Sequence, residues 1–162
     1  MTDPEQTRWV QWAAECAERV LPLAGEYRAQ SEAAIQAARA WAESPTEERR
    51  QACEQISAIL GGELEVVRIE GGDTPEIWAA GAAAQAAAAA SDSRGRYRAE
   101  SERAADYAAE AVAGVAANAM AHRGPGRYGA VYRAAISVER ERQAMRARAY
   151  GLPAPNAGAT EG

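Results

Sequence analysis

The chain has 162 residues, a net charge of −5 and a sequence isoelectric point near 5.1. Alanine supplies 43 residues, phenylalanine is absent, and all 18 basic residues are arginine, which excludes lysine-based catalysis and a lysine-dependent phosphate loop. No stretch resembles a membrane-spanning helix or an export signal, and two cysteines are too few for a disulfide-built scaffold. We therefore expect one cytoplasmic domain of ordinary size with no membrane association.

The charge is unevenly distributed along the chain. Residues 1–76 contain 15 acidic residues and 7 arginines, a net charge of −8, whereas residues 77–162 contain 8 acidic residues and 11 arginines, a net charge of +3. The acidic balance of the whole chain argues against general affinity for nucleic acids, which requires a basic face. The arginine-rich stretch Arg123–Arg148 is typical of a solvated helix face, and a docking strip for an acidic partner is the alternative.

The first apolar residues recur with helical periodicity. Steps of three and four residues place five of them on one stripe: Trp9, Trp12, Cys16, Val20 and Leu23. Pro22 and Gly25 predict the end of this helix. A second helix is predicted over Gln30–Glu43. Its buried stripe consists of Ile35, Ala38, Trp41 and Ala42.

A strong start signal opens the third helix. Ser44 is predicted as the cap, Pro45 as the first helical residue, and Glu47 as the residue that closes a capping box. The helix is predicted to end at Gly61–Gly62. Its buried side is predicted to contain Ala52, Ile56, Ile59 and Leu60. Residues 63–73 mix apolar and acidic side chains between two glycine pairs, which predicts an extended segment or a loop.

Thr74 and Pro75 repeat the start signal for a helix that reaches about Ala90. Its side chains are nearly all alanine, which allows close approach of several neighbours and predicts a central position. Two long helices follow, from about Tyr97 to Ala121 and from about Arg127 to Tyr150. Residues predicted to be buried in them are Ala104, Tyr107, Ala108, Ala111, Val115 and Ala119, and then Tyr128, Val131, Tyr132, Ala135, Ile136, Val138 and Met145.

Six helices with short connections predict an all-α fold. We expect a single-domain bundle over residues 1–150, with one irregular loop near residues 61–74. Residues 151–162 are rich in small residues and proline and are predicted to form a flexible C-terminal tail.

No motif for catalysis or metal binding is present. His122 is the only histidine, so metal sites built on paired histidines are excluded. The serines and cysteines carry no nucleophile signature, and the glycine-rich pieces match no phosphate-binding template. Cys16 and Cys53 are expected to be buried, reduced thiols. The sequence therefore predicts a protein that is not an enzyme, with no cofactor, no metal and no catalytic residue.

Two clusters interleave aromatic and guanidinium side chains. They are Arg94, Arg96, Tyr97 and Arg98, and Arg127, Tyr128, Tyr132 and Arg133. Such clusters stack on bases or anchor protein contacts. The net negative charge favours the protein contact.

Two segments resemble the start of a family of immunity proteins from bacterial polymorphic toxin systems, namely Trp12–Leu23 and Ala33–Ala42. The alanine-rich stretch Ala79–Ala90 and the segment Ala104–Ala111 are similar to later parts of that family. The resemblance implies an all-α protein that neutralises a toxin domain by binding it. The chain departs from the family at Glu26–Glu32, where an Asp and an Arg-Pro-Arg run are usual, and at Gln85, where histidine is common.

The predicted function is that of a non-enzymatic, protein-binding inhibitor of the immunity type. An acidic surface on the exposed sides of the first helices would suit a basic toxin. The candidate partner-binding residues are Glu15, Glu18, Glu43, Glu47, Glu48 and Glu54, together with Tyr128, Tyr132 and Arg133. Two alternatives remain open: a self-associating helical scaffold or accessory protein of phage or mobile-element origin, and a nucleic-acid-associated module that uses the arginine-rich last helix.

Overall fold

The computed structural model describes residues 2–155, apart from the side chains of His122 and Pro125. The six helices are α1 (Pro4–Val20), α2 (Arg28–Glu43), α3 (Glu47–Gly71), α4 (Pro75–Ser91), α5 (Tyr97–Met120) and α6 (Pro125–Ala149). Short 3-10 turns follow α1 and α5. The described part of the chain contains no strand, and the predicted all-α bundle of six helices is confirmed. No described helix has the combination of length and apolar character that crossing a bilayer requires.

Helix α4 is the centre of the bundle, as predicted. It packs against α1, α2, α3 and α5, and alanines on every side of it are buried. Small side chains allow neighbouring backbones to approach closely, so one helix can contact four others.

Two tryptophans of α1 are the largest fully buried side chains of the core. Trp9 and Trp12 are fully buried, and their rings meet edge to face with centroids 5.4 Å apart. The indole Nε1 of Trp12 donates a hydrogen bond to the carbonyl oxygen of Gln143 at 3.1 Å, which ties α1 to α6. The predicted stripe of α1 is confirmed from Trp9 to Val20, and Leu23 packs against the core from a 3-10 turn.

Threonine caps two of the helices. The Thr74 hydroxyl accepts a hydrogen bond from the backbone N–H of Ile77, as predicted for α4. The predicted cap Ser44 is wrong for α3, because Thr46 accepts the bond from the Arg49 N–H instead. Ser44 still belongs to the end of α2, since its own N–H donates to the Ala40 carbonyl.

Helix α3 is continuous to Gly71, so the predicted end at Gly61–Gly62 and the predicted irregular loop near residues 61–74 are wrong. Only residues 72–74 are non-helical there. Leu60 and Leu64 are buried on one stripe of α3 that continues through the glycine pair. Burying Leu64 is worth about 1.5–3 kcal/mol and the partly buried Val67 adds to it, whereas two glycines inside a helix together cost about 1–2 kcal/mol. This stripe turns the predicted core residues Ala52 and Ile59 outwards.

The inner face of α6 is polar, contrary to the prediction. Glu139, Gln143 and Ala147 are buried, whereas Val138 and Met145 are exposed. Polar partners on α1 and α5 are the reason for this orientation, as described below. The C-terminal part of α5 also differs from the prediction, because Val115 and Ala119 are exposed. On α6, Tyr128 was predicted to be buried and is exposed as well. Tyr132 and Ile136 are partly buried.

The bundle continues slightly past residue 150. Gly151 adopts a left-handed conformation (φ 69°), which ends α6 and allows the Leu152 N–H to donate to the Ala147 carbonyl. Leu152 is buried in the core. Residues 156–162 of the predicted tail, and the side chain of His122, lie outside the described residues.

Candidate functional site

The acidic candidates on α1 are bound by arginines of the same chain. The Glu15 carboxylate accepts hydrogen bonds from Arg146 at 2.6 and 3.0 Å and from the Tyr150 hydroxyl at 2.7 Å. These bonds, led by that from Arg146, lower the pKa of Glu15. Glu18 forms an ion pair with Arg39. Neither carboxylate is therefore a free charge on the surface.

The acidic candidates near the start of α3 divide into two groups. Glu47 and Glu54 share Arg50, at 2.6 and 3.2 Å, and hydrogen bonds from Arg50 and Gln51 lower the pKa of Glu47 to about 2. Glu43 and Glu48 are exposed and make no ion pair within the described part of the chain. Four of the six acidic candidates thus form ion pairs within the chain, and three arginines offset three of those four negative charges.

The aromatic candidates do come together, in an open groove between the start of α4, the second half of α5 and the first half of α6. Tyr128 and Tyr132 stack with their ring centroids 6.2 Å apart and their planes 14° apart. Arg133, Trp78 and Glu110 complete the main lining of a space of about 480 Å³, which we call the aromatic groove. Tyr, Trp and Arg are the side chains most often found as anchors of protein contacts.

Two glycines shape the aromatic groove. A Cβ atom at Gly114 on α5 would lie 3.0 Å from Cγ of Pro75, so a side chain there would push α5 away from the first turn of α4. A Cβ atom at Gly129 on α6 would lie 3.3 Å from Nη1 of Arg133, because the guanidinium folds back over that glycine. Gly114 therefore permits the close approach of α5 to the start of α4, whereas the flexible end of Arg133 can move away from a larger residue at position 129.

One wall of the aromatic groove is supported from behind. The Trp78 ring lies 4.9 Å from the ring of Tyr107, and the Arg68 guanidinium lies 5.0 Å from the Trp78 centroid. Arg68 also forms an ion pair with Asp73 at 2.7 Å, which closes the turn between α3 and α4. These contacts within the chain hold the Trp78 ring in position.

Glu110 is the unusual group in the aromatic groove. Its carboxylate is half-buried and has no hydrogen bond or ion pair within the described part of the chain. Burial raises its pKa, Arg140 opposes this effect without forming an ion pair with Glu110, and the charges of Asp106 and Asp73 add to it. Asp106, one turn earlier on α5, also has a raised pKa because it is partly buried, and it lies 3.7 Å from Arg140. A cation placed beside a partly buried carboxylate without a partner would favour the charged form of that carboxylate.

Sequence reasoning found the α6 side of the aromatic groove and missed the other walls. Asp73 and Arg68 lay in the segment predicted as a loop. Trp78 was assigned only to the alanine-rich helix, and Glu110 was assigned no role. A usable signal existed on α5, where Glu110, Gly114 and Asn118 recur at steps of four and so share one helix face.

A buried polar contact joins α1 to α6. Arg19 Nε donates to both oxygens of Glu139, at 3.1 and 3.0 Å, and Arg142 lies 3.8 Å from the same carboxylate. Gln143 donates to the Ala105 carbonyl of α5 at 2.9 Å. Burial raises the pKa of Glu139, and the opposing effect of Arg19 only partly offsets it. This arrangement explains why the polar side of α6 faces inwards.

Glu139 and Glu15 are expected to give opposite pH dependence of stability. The pKa of Glu139 is raised by folding, so wild type should gain stability over Glu139→Gln as the pH falls from 7 towards the ordinary glutamate value of 4.5. The pKa of Glu15 is lowered, so the advantage of wild type over Glu15→Gln should persist at neutral pH and disappear below 4.5. Urea unfolding of the three proteins from pH 7 to pH 3 measures both effects. Parallel pH profiles for the two variants would contradict the assignment.

The described residues offer no evident metal site. No group of three or more His, Cys, Asp or Glu among them is arranged to hold a metal ion. Cys16 and Cys53 are free and buried, as predicted. Burial raises the pKa of both thiols, that of Cys53 to about 11, so both are protonated at neutral pH.

Comparison of the chain with protein-family models, with curated proteins and with solved structures finds no match. The resemblance to immunity proteins therefore stays a prediction.

Proposed function

We propose that this chain is a non-enzymatic, protein-binding inhibitor of the immunity type, and that its partner protein inserts a cationic side chain into the aromatic groove. The observation that carries the proposal is the half-buried, unpaired carboxylate of Glu110 in a groove of about 480 Å³ lined by Trp78, Tyr128 and Tyr132. Shape, aromatic lining and charge favour one kind of occupant.

A guanidinium or ammonium group satisfies this site in two ways. It pairs with Glu110, whose desolvation is otherwise uncompensated, and charge-assisted hydrogen bonds of this kind are stronger than neutral ones. It also contacts the faces of the tyrosine and tryptophan rings, which is worth about 0.5–2 kcal/mol. Arg133 at the rim carries the opposite charge to Glu110 and suits an acidic group beside the inserted cation. The site therefore selects a partner by a pattern of charges.

The inhibitor class is supported by the resemblance of Trp12–Leu23 and Ala33–Ala42 to immunity proteins. Such proteins act by covering a toxin surface, which requires complementarity and no chemistry. We infer that the chain acts in the cytoplasm, because two free, buried thiols suit a reducing compartment.

The test compares capture of a partner by matched variants. Tagged wild type, Tyr132→Ala, Glu110→Gln and the control Glu32→Gln, an exposed glutamate of α2 outside the aromatic groove and the acidic candidates, are incubated with lysate of the native host, and bound proteins are quantified by mass spectrometry. One near-stoichiometric partner is expected with wild type and with Glu32→Gln. Both groove variants are expected to weaken its binding by about tenfold or more, since anchor residues contribute more than 1–2 kcal/mol.

The inhibitor class is tested separately from the site. Expression of the captured partner alone is expected to arrest growth, and co-expression of this chain is expected to restore it. Retention of the partner by both groove variants at wild-type affinity would place binding elsewhere. A harmless partner would contradict the immunity role and leave the groove result standing.

A further inference from the structure

Two helices carry a second apolar face that the bundle does not cover. On α3, Ile59, Val66 and Ile69 are 61%, 54% and 77% exposed, and on α6, Val138 and Met145 are 67% and 63% exposed. Among the described residues, the other exposed large apolar side chains are Val115 and Tyr128, which are 42% and 39% exposed. Large exposed apolar side chains that share one side of a helix indicate a candidate interaction surface.

The spacing on both faces is that of helix pairing. Ile59 and Val66 are seven residues apart, and Ile69 follows three residues later, which corresponds to positions a, a and d of one heptad series. On α6, Val138 and Met145 are also seven residues apart and occupy successive a positions, whereas the d positions are the charged residues Glu141 and Arg148. These stripes lie opposite the buried sides of the helices, where Leu60, Leu64, Glu139 and Gln143 contact the bundle.

The charges beside the two stripes are opposite. Exposed Glu63, Glu65 and Glu70 flank the α3 stripe, and none of them forms an ion pair within the described part of the chain. Arg142 and Arg148 border the α6 stripe together with one exposed acid, Glu141, and Arg142 also lies 3.8 Å from the buried carboxylate of Glu139. Flanking charges of opposite sign select the partner and the orientation of paired helices.

The two faces do not meet within one molecule. Helix α3 packs on α2 and α4, whereas α6 packs on α5 and α1. The α3 stripe, which has acidic neighbours, and the α6 stripe, which has basic neighbours, therefore do not pair within one chain. Their opposite charges indicate a contact between the α3 stripe of one copy and the α6 stripe of another. Each helix has 25 residues and is about 37 Å long at a rise of 1.5 Å per residue, which is enough for an extended contact.

We propose that the outer face of α6 of one copy docks on the outer face of α3 of a second copy. This contact is heterologous, because it joins two different patches, so each pair retains one free α3 face and one free α6 face. Such contacts continue into a closed ring or an open chain. The proposal is independent of the proposed function, since neither stripe contains a residue that lines the aromatic groove.

Sedimentation velocity over a range of concentrations tests the proposal with complementary variants. Wild type is expected to show a mass that rises with concentration beyond that of a dimer, or to stop at a ring. Val138→Glu removes the α6 face and Val66→Arg removes the α3 face, and each alone is expected to weaken association by at least about tenfold. Val115→Glu, on α5, is the matched control and is expected to associate like wild type.

A mixture of the two variants gives the decisive result. Val138→Glu keeps an intact α3 face and Val66→Arg keeps an intact α6 face, so an equimolar mixture is expected to form heterodimers and nothing larger. Circular dichroism checks that each variant is folded. A wild type that remains monomeric up to its solubility limit, or a mixture that stays monomeric, overturns the proposal. Association of Val66→Arg at wild-type strength also overturns it, because that result indicates a contact without α3.

Discussion

Replacing Trp12 with alanine is expected to lower the free energy of unfolding by about 3–5 kcal/mol. Trp12 is fully buried, contacts Trp9 edge to face and donates a hydrogen bond to the Gln143 carbonyl of α6. The surrounding core is built mainly of alanine, whose methyl groups cannot reach into the space that the indole leaves. A cavity of this kind adds to the transfer free energy that is lost.

The Trp12→Phe variant separates packing from the hydrogen bond. Phenylalanine keeps most of the apolar contacts, so the loss is expected to be smaller and to include about 1 kcal/mol for the missing hydrogen bond. Urea unfolding followed by circular dichroism at 222 nm measures both variants without relying on tryptophan fluorescence. Equal stability of Trp12→Ala and wild type would show that α1 and α6 are not held together by this side chain.

The parts of the fold that depend on local signals could be predicted from the sequence. The apolar stripe of α1, the Thr74 cap of α4 and the alanine-rich central helix each follow from residues a few positions apart. Their physical causes are periodic burial, capping hydrogen bonds and close helix packing. None of them requires knowledge of a distant residue.

The errors come from contacts between distant residues. Leu64 is buried against the bundle, and this burial keeps α3 helical across two glycines that locally favour an end. The orientation of α6 depends on Arg19, which lies 120 positions away and neutralises Glu139. A hydropathy pattern assigns Glu139 to the solvent because it contains no information about that arginine.

The candidate site also has one part that local sequence signals predict and one part that depends on contacts between distant residues. Tyr128 and Tyr132 are one turn apart and Arg133 follows Tyr132 directly, so their sequence cluster is also a cluster in space. Trp78 and Glu110 join them only because α4 and α5 pack closely, at Gly81 and Gly114. The acidic candidates were predicted as an exposed acidic surface, and the pairing of four of them with Arg50, Arg39 and Arg146 depends on side-chain geometry that spacing does not specify.

Replacing Gly81 with valine is expected to destabilise the protein by about 1–3 kcal/mol, the usual cost of overpacking. A Cβ atom at Gly81 would lie 2.8 Å from Cδ2 of Tyr107, and the Tyr107 ring is held by Trp78 at 4.9 Å. Relief of the clash therefore requires movement of Trp78, which lines the aromatic groove. Partner binding is expected to weaken together with stability.

Gly61→Ala is the matched control, because it also replaces a glycine inside a helix but meets no heavy atom within 4 Å. It is expected to stabilise the protein by about 0.5–1 kcal/mol, since alanine loses less conformational freedom in a helix than glycine. Urea unfolding measures both variants. Opposite signs are expected because only Gly81 lies where two helices approach closely. A destabilised Gly61→Ala would contradict a continuous α3, and a stabilised Gly81→Val would contradict the close contact that positions Trp78 beside Glu110.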